Sequence, residues 1–339
     1  MQVAIIGAGF SGMCAAIKLR EAGIAFRMFE KASDVGGTWL HNVYPGVACD
    51  VPSHSYTFSF EPNPHWSHAF AGGAEIEAYA QSVANKYGIR ECCSFGTEVT
   101  RLEFDLAANE WIVHFVRQDK AQQQSMRFQV CFNCAGVLHV PKWPDAQGVG
   151  AFQGDAEVHT AEWHKLPNNE ALRGKRVVVV GSAASATQVV PSICDQVQSL
   201  VVLQRTSNWI VATRSPLYPS KLTFSPAWLW ALSHRWVLDL YRSALYWSLE
   251  LVFLSGVFSA NSRVHAYVRS SVERAMLKQL QGDKMLGSKV IPTYEIGCKR
   301  IIRSDQYLPA CVFASSLSSR AFYGSPPVCA DCANPTCVS

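Results

Sequence analysis

The chain has 339 residues, of which 49% are hydrophobic and 17% are charged. This length predicts about two domains, and a charged fraction below the typical ~25% excludes global disorder. Lys plus Arg exceed Asp plus Glu by 30 − 26 = +4, without a basic block, which argues against nucleic acid as a partner.

The chain opens on an apolar strand followed by Gly7, which leaves no room for a signal peptide. We therefore expect a cytoplasmic protein whose twelve cysteines are mostly reduced. Cys131 and Cys134 form a CxxC, but a spacing of three places side chains on opposite faces of a strand. This geometry argues against a redox pair.

A strand, a glycine-rich turn and a helix form the first motif. It comprises the strand 3–6, the turn with Gly7, Gly9 and Gly12, a helix ending near Gly23, and a strand 25–29 followed by Glu30. Gly7 permits the tight turn, Gly9 lets the backbone approach a pyrophosphate, and Gly12 lets the helix pack on the strand. A carboxylate at this distance suits a free ribose diol, as in NAD or FAD, although Glu30 alone could be a solvated charge.

A second motif of the same kind begins with the strand 177–180. Its turn and helix contain Gly181, Ser182, Ala183, Ser185 and Gln188, and the next strand, 200–203, is followed by Arg205 and Thr206. A guanidinium at this place can bind a ribose 2′-phosphate, which predicts NADP(H); a surface cation is the alternative. Ala183 replaces a glycine, so we expect coenzyme affinity to be affected. Two such folds in one chain suggest a flavin on the first and a nicotinamide on the second.

Between the two motifs lies the pattern FxGxxxHxxxW, carried by Phe152, Gly154, His159 and Trp163. By composition alone it could be a packed interdomain linker. Together with the two dinucleotide motifs, the pattern resembles the flavin-dependent Baeyer-Villiger monooxygenases of the flavin-containing monooxygenase superfamily, over about residues 1 to 310. Related N- and S-oxygenating enzymes usually lack tryptophan at the last position, so Trp163 favours the Baeyer-Villiger branch.

The resemblance assigns further residues in the N-terminal half. It implies that Gly37, Thr38 and Trp39 form a loop along the flavin. It also implies that Asp50 is an active-site aspartate, that Tyr56 contacts the flavin, and that the backbone of Val99 contacts the adenine. Ala48 stands where relatives often carry arginine. Read without the family, Asp50 is a turn residue bonded to local backbone.

Near the end, Lys299 and Arg300 resemble the segment that brings an active-site arginine over the flavin. The resemblance implies that NADPH reduces FAD, oxygen adds to give a C4a-peroxyflavin, and an oxygen atom is inserted beside a ketone carbonyl. Arg300 would hold the peroxide anion, and Asp50 would orient Arg300 and compensate its charge. Without the resemblance to this family, a Lys-Arg pair is usually part of a solvent-exposed surface.

The resemblance thus predicts an FAD- and NADPH-dependent oxidoreductase acting on O2 and a small apolar ketone. The alternatives are N- or S-oxygenation on the same scaffold, or a truncated, noncatalytic FAD- and NADP-binding remnant. The predicted fold class is α/β, with two Rossmann-like domains and a helical insert.

The predicted domains are an FAD-binding part (1–145), an NADP-binding domain (146–208 and 291–308), a helical insert (209–290) and an atypical tail (309–339). Ser225 and Pro226 suit a helix start, and the apolar pattern runs to Gly256. Four ionisable groups share one stripe of this helix: Arg235, Asp239, Arg242 and Glu250. We expect these groups to form a solvent-exposed edge of the helix, while its apolar face packs on the coenzyme domain. Contact of residues 225–256 with a membrane surface is the less favoured alternative.

From Leu308 the composition changes to Ser, Pro and Cys. The cysteines Cys329, Cys332 and Cys337 lack a fourth ligand, so we predict no metal site. Family members are longer here, and their chain returns to complete the flavin domain. We interpret the change as a truncation or an altered reading frame after about Pro309, and we expect a disordered tail.

Overall fold

The computed structural model describes residues 2–144, 149–212, 224–252 and 262–317. The chain forms two compact units. The first comprises Met1–Tyr44, Thr57–Asn63 and Gly72–Lys165, and the second comprises Pro45–Tyr56, Pro64–Ala71 and Leu166–Ser339. The predicted domain limit at 145/146 lies outside the described residues and stays a prediction.

The first unit combines a parallel sheet with an antiparallel one. Its strands are β1 (Gln2–Ile6), β2 (Ala25–Phe29), β3 (Cys93–Ser94), β4 (Thr97–Asp105), β5 (Glu110–Arg117), β6 (Lys120–Phe128) and β7 (Val130–Asn133). Its α-helices are α1 (Phe10–Glu21), α2 (Thr38–His41) and α3 (Gly73–Lys86). The parallel sheet has the order β3-β2-β1-β7, and β4, β5 and β6 form the antiparallel sheet.

The predicted strand-turn-helix-strand unit is confirmed as β1-α1-β2. Gly12, Met13, Ala16 and Ile17 are buried at the three- and four-residue spacing that presents one helix face to the sheet. The helix ends before Gly23, whose φ of +67° lies in the left-handed region. The β5 strand buries Val113 and Phe115 against Phe29 and Phe128, which joins the two sheets in one core.

The second unit is also α/β. Its strands are β8 (Arg176–Val180), β9 (Ser199–Leu203), β10 (Ile210–Val211) and β11 (Ile302–Arg303). Its α-helices are α4 (Ala184–Ile193), α5 (Pro226–Leu232), α6 (Arg235–Val252), α7 (Arg263–Gln279), α8 (Lys284–Val290) and α9 (Tyr307–Leu317). The pairs β8-β9 and β10-β11 are parallel. The predicted unit β8-α4-β9 is confirmed, with its helix ending at Ile193.

The helical insert starts as predicted but is not one helix. Ser225 caps α5 by accepting a hydrogen bond from the backbone N–H of Trp228. The chain then breaks at Ser233 and His234 before α6 begins. The apolar stretches on either side of the polar residues 233–235 were predicted to form one helix, and that prediction is wrong.

The prediction that four ionisable residues of α6 share a solvent-exposed edge is wrong at one of the four. Arg242 is 18% exposed and faces the turn at Ser53–Ser55, because its guanidinium finds a backbone carbonyl there. The α6 helix buries Leu238 and Leu245, whereas Trp236 and Trp247 are exposed. Among the described helices, none combines the length and the apolar character needed to cross a membrane. Contact with a membrane surface stays a prediction.

The predicted disordered tail is wrong for residues 309–317. Helix α9 covers this stretch, and Leu308, Ala310 and Cys311 are buried. The sequence did not predict the helix because Ser, Pro and Cys dominate its surroundings, and its apolar residues form a continuous run that does not distinguish a helix by periodicity. Residues 318–339, with Cys329, Cys332 and Cys337, lie outside the described residues.

Candidate functional site

The turn between β1 and α1 has the geometry of a phosphate cradle. Gly7 has φ +99°, and a Cβ there would lie 2.5 Å from the carbonyl oxygen of Cys134. A Cβ on Gly12 would overlap the carbonyl oxygen of Gly7. Within the described residues, no side chain caps α1 and its first turn carries no acid. The free N–H groups and the helix dipole therefore remain available to an anion.

Glu30 is not a solvated charge at a strand end. It is 7% exposed, and its carboxylate accepts hydrogen bonds from the backbone N–H of Ala8 at 2.6 Å and of Ala32 at 2.8 Å. These two bonds hold the carboxylate beside the glycine turn. Each carboxylate oxygen has a second lone pair, so Glu30 can accept from ribose hydroxyls as well.

A cavity of about 380 Å³ lies beside the two residues that follow Glu30 in the chain. Its lining residues are Lys31, Ala32, His41, Glu98, Val116 and Gln118. Val99 follows Glu98 on β4 and packs its side chain on the core, so any contribution to the cavity comes from its backbone. The sequence alone did not predict Lys31, His41 and Gln118 as site residues, although Lys31 directly follows Glu30.

The loop of Gly37, Thr38 and Trp39 approaches the first glycine turn. Gly37 has φ +57°, and a Cβ there would lie 3.0 Å from the Cα of Gly9. Trp39 is buried. At the end of α2 the ring of His41 stacks on His139 at 5.7 Å between centroids, and burial lowers the pKa of both imidazoles. Both rings are therefore mostly neutral at pH 7.

The second glycine turn repeats the backbone of the first. Ala183 precedes α4 with φ −80° and ψ −170°, close to the −75° and −170° of Gly9. Any L-residue adopts these angles, so alanine introduces no backbone strain. Gly181 has φ +109° and keeps the position that requires glycine. The effect of Ala183 is therefore confined to the space that its exposed methyl group occupies.

Around this turn the structure brings together several of the predicted coenzyme residues. Ser182 donates a hydrogen bond to the carbonyl oxygen of Thr206 at 3.1 Å, and Asn208, which the sequence missed, donates to Ser182. Ser185 lies half-buried in the first turn of α4. Gln188 donates to the carbonyl oxygen of Ala48 at 2.9 Å.

Arg205 is exposed at the end of β9 and forms no ion pair with any described residue. The residue before it, Gln204, is buried and donates to the carbonyl oxygen of Lys289 at 2.9 Å. This bond anchors the strand end, while the guanidinium next to it remains open to an anionic ligand.

Asp50 and Arg300 meet although 250 positions separate them. The guanidinium of Arg300 donates to the Asp50 carboxylate at 2.6 Å. The Arg300 side chain is 62% exposed. The expectation that Asp50 compensates the charge of a buried guanidinium is therefore wrong. The side chain of Asp50, the partner of Arg300, is largely covered, with 22% exposed.

The residues next to this pair are held by the backbone. Tyr56 lies at the end of the Asp50 turn, where its N–H donates to the carbonyl oxygens of Pro52 and Ser53. Burial raises the pKa of the Cys49 thiol to about 11, so this neighbour of Asp50 stays neutral. Lys299 is exposed, and its ammonium lies 5.1 Å from the ring centroid of Tyr294.

Contacts within the FxGxxxHxxxW segment and with Trp143 hold its residues in place. A Cβ on Gly154 would overlap the ring of Phe152, which accounts for the glycine. His159 accepts a hydrogen bond from the N–H of Ala161 and packs on Trp143 at 5.7 Å between centroids. Trp163 lies half-buried in the 3-10 segment Thr160–Lys165.

The cysteines of the described residues are free thiols. Burial raises the pKa of Cys131 to about 11 and raises that of Cys134, which makes both poor nucleophiles at neutral pH. The described residues contain no cluster of three or more potential metal ligands.

Comparisons with known proteins show the family of the chain. Residues 1–236 match the flavin-binding monooxygenase-like family. A Baeyer-Villiger monooxygenase of Streptomyces coelicolor is 37% identical over 98% of this chain and 61% of its own length. One of Pseudomonas aeruginosa is 39% identical over 93% of this chain and 57% of its own length. The chain thus spans about three fifths of these relatives.

Solved structures show the same fold. An oxidized steroid monooxygenase bound to NADP is 27% identical, has a TM-score of 0.73, and aligns over 92% of this chain and 64% of its own. An open form of cyclohexanone monooxygenase is 24% identical, has a TM-score of 0.76, and aligns over 92% and 65%. The predicted α/β fold with two Rossmann-like domains is confirmed.

Proposed function

The chain belongs to the flavin-binding monooxygenase-like family, and from this premise we propose that it is the dinucleotide-binding part of a Baeyer-Villiger monooxygenase. The proposed reaction uses NADPH and O2 to insert one oxygen atom beside a ketone carbonyl. The observation that carries the proposal is the contact between Asp50 and Arg300, because it holds a permanent cation in a defined orientation.

FAD fits the first unit. The start of α1 offers free N–H groups to the pyrophosphate, Glu30 accepts from the ribose, and the cavity beside Lys31 and His41 has room for the adenine end. Gly37, Thr38 and Trp39 would line the flavin from the loop beside the first glycine turn. The backbone of Val99 would contact the adenine. When bound, FAD supplies hydride acceptance and oxygen activation, which side chains alone do not provide.

NADPH fits the second unit. The start of α4, with Gly181 and Ala183 before it, offers the same free N–H groups to a pyrophosphate. Arg205 would bind the ribose 2′-phosphate with two parallel hydrogen bonds. The remaining proposed contacts are Ser182, Ser185, Gln188, Thr206 and Lys299.

Arg300 would stabilise the negative charge that develops on oxygen during the transfer. The guanidinium presents several N–H donors in one plane, which suits an oxygen that gains negative charge. Asp50 keeps the guanidinium in one orientation before substrate arrives, and a donor oriented in advance lowers the barrier most. Exposed aromatic residues of α5 and α6, among them Trp230 and Trp236, support an apolar ketone as the substrate.

The proposal is tested with the full chain, FAD, NADPH and a set of cyclic and aryl ketones. Ester and hydrogen peroxide are measured together, for the wild type, Arg300→Ala and the matched control Arg263→Ala. Arg263 is an exposed arginine at the start of α7 and forms no ion pair with a described residue. We expect Arg300→Ala to lower the rate of ester formation about 100-fold or more and the control to leave it unchanged.

Equal ester rates in the wild type and Arg300→Ala would refute the assigned role. Oxygenation of amines or sulfides without any ester would favour the N- or S-oxygenating alternative. A chain that retains FAD and NADP but oxidises no NADPH would be a noncatalytic dinucleotide-binding protein.

A further inference from the structure

Helix α6 holds the turn that carries Asp50. The guanidinium of Arg242 donates through Nε to the carbonyl oxygen of His54 at 3.0 Å, and Arg242 is largely covered. The buried His54 ring packs edge-to-face on Phe224 and Tyr241, with centroids 5.0 and 5.3 Å away. His54 lies only four positions after Asp50, so this contact restrains the position of the carboxylate.

Helix α7 holds the loop that carries Arg300. Glu295 accepts a hydrogen bond from the buried His265 at 3.1 Å and pairs with Arg269, one helical turn further along α7. On the other side of the loop, Trp209 donates to the carbonyl oxygen of Tyr294 at 3.1 Å. The loop is thus fixed five residues before Arg300.

These restraints matter because the Asp50–Arg300 contact is weak by itself. Arg300 is mostly exposed, and an exposed ion pair contributes on the order of 0 to 1 kcal/mol. Such a pair does not hold a guanidinium in one place unless the two backbone segments are already positioned.

We propose that the helical insert positions the Asp50–Arg300 pair, with Arg242 fixing the Asp50 turn and Glu295 fixing the Arg300 loop. Both are positioning residues, since neither touches the pair itself. The catalytic meaning of this inference rests on the proposed function, whereas the mechanical link is tested without it.

The first test measures hydrogen exchange of the full-length protein by mass spectrometry. Arg242→Met removes the donor and keeps the chain length, and Arg235→Met is its control because Arg235 pairs with Asp239 on the surface of the same helix. We expect exchange in peptides covering residues 49–56 to rise roughly tenfold in Arg242→Met, as loss of a charge-assisted hydrogen bond implies, and to stay unchanged in the control.

The second test uses Cys298, an exposed thiol between Glu295 and Arg300, as a reporter of the loop. Its alkylation by iodoacetamide is followed by peptide mass spectrometry in Glu295→Ala and in the control Glu273→Ala on α7. We expect the rate to rise at least threefold in Glu295→Ala only. The Cys298 N–H donates to the carbonyl oxygen of Glu295, so loosening this residue frees the backbone at Cys298 and lets the already exposed thiol meet the reagent in more orientations.

A residue that merely stabilises the fold would change exchange throughout α6, α7 and the β8-β9 pair. Changes confined to the 49–56 and 296–302 segments support the proposal. Unchanged segments, changes equal to those of the controls, or changes spread over the whole unit overturn it.

Activity gives an independent readout where the wild type forms ester. Arg242→Met and Glu295→Ala are then expected to lower kcat and leave the KM for NADPH unchanged. A wild type without oxygenation rejects the proposed function, yet the exchange and alkylation results still decide the positioning role.

Discussion

His54 makes the stability of the second unit depend on pH. Burial is the main cause that lowers the pKa of its imidazole from 6.5 to about 4; a hydrogen bond with the backbone at Pro64 acts in the opposite direction, and the charge of the nearby Arg242 acts in the same direction as burial. The folded protein therefore holds a neutral ring, whereas the unfolded chain takes up a proton below pH 6.5. The stability that depends on this ring is complete above pH 6.5 and is lost as the pH falls toward 4.

The size of the effect follows from the two pKa values. At pH 5 the unfolded chain is favoured by about 2 kcal/mol through this one group. In His54→Phe the ring between Phe224 and Tyr241 is kept and the titration is removed. Between pH 7.5 and 5, the wild type should lose about 2 kcal/mol more of its unfolding free energy than His54→Phe.

Urea denaturation followed by tryptophan fluorescence at pH 7.5, 6.5, 5.5 and 5 measures this difference. His68→Phe is the control, because His68 is exposed in the same part of the chain. A difference between wild type and His54→Phe below ~0.5 kcal/mol at pH 5 would show that the folded protein accepts the proton.

The remaining predictions concern the two dinucleotide sites. Gly12→Ala should destabilise the fold by about 1 to 3 kcal/mol in urea, because its Cβ meets the Gly7 carbonyl oxygen. Gly9→Ala, whose Cβ meets only ordinary contacts, should keep the stability but bind FAD at least tenfold more weakly in fluorescence titrations; equal stability of the two variants would contradict this reasoning. Arg205→Ala should weaken NADPH binding about tenfold in calorimetry and leave NADH unaffected. Equal loss for both coenzymes would show that Arg205 does not bind the 2′-phosphate.

Local sequence was sufficient for the two strand-turn-helix units. Glycine at positions 7 and 181 marks a backbone angle that other residues rarely adopt, and the apolar runs on either side have strand or helix spacing. For the same reason Ser225 was a reliable helix start. The family resemblance added Asp50 and Arg300 as a pair, which no spacing in the chain indicates.

The local sequence pattern also gave wrong predictions at two places in the chain. The apolar residues after Ser225 predict one helix, but the chain breaks at the polar residues 233–234. Arg242 turns inward because a backbone carbonyl of another segment accepts its hydrogen bond. After Leu308 the Ser, Pro and Cys content suggested disorder, whereas burial of Leu308 and Cys311 accompanies a helix.

The chain by itself therefore determined where the glycine turns, the flanking strands and the first coenzyme acid lie, because these depend on backbone sterics and short-range periodicity. Only the tertiary structure decided that Glu30 is buried with two backbone donors, that Arg300 stays exposed against Asp50, and that Arg242 and Glu295 support this pair. Such contacts join residues far apart in sequence, and their energies depend on burial and distance, which the folded chain alone defines.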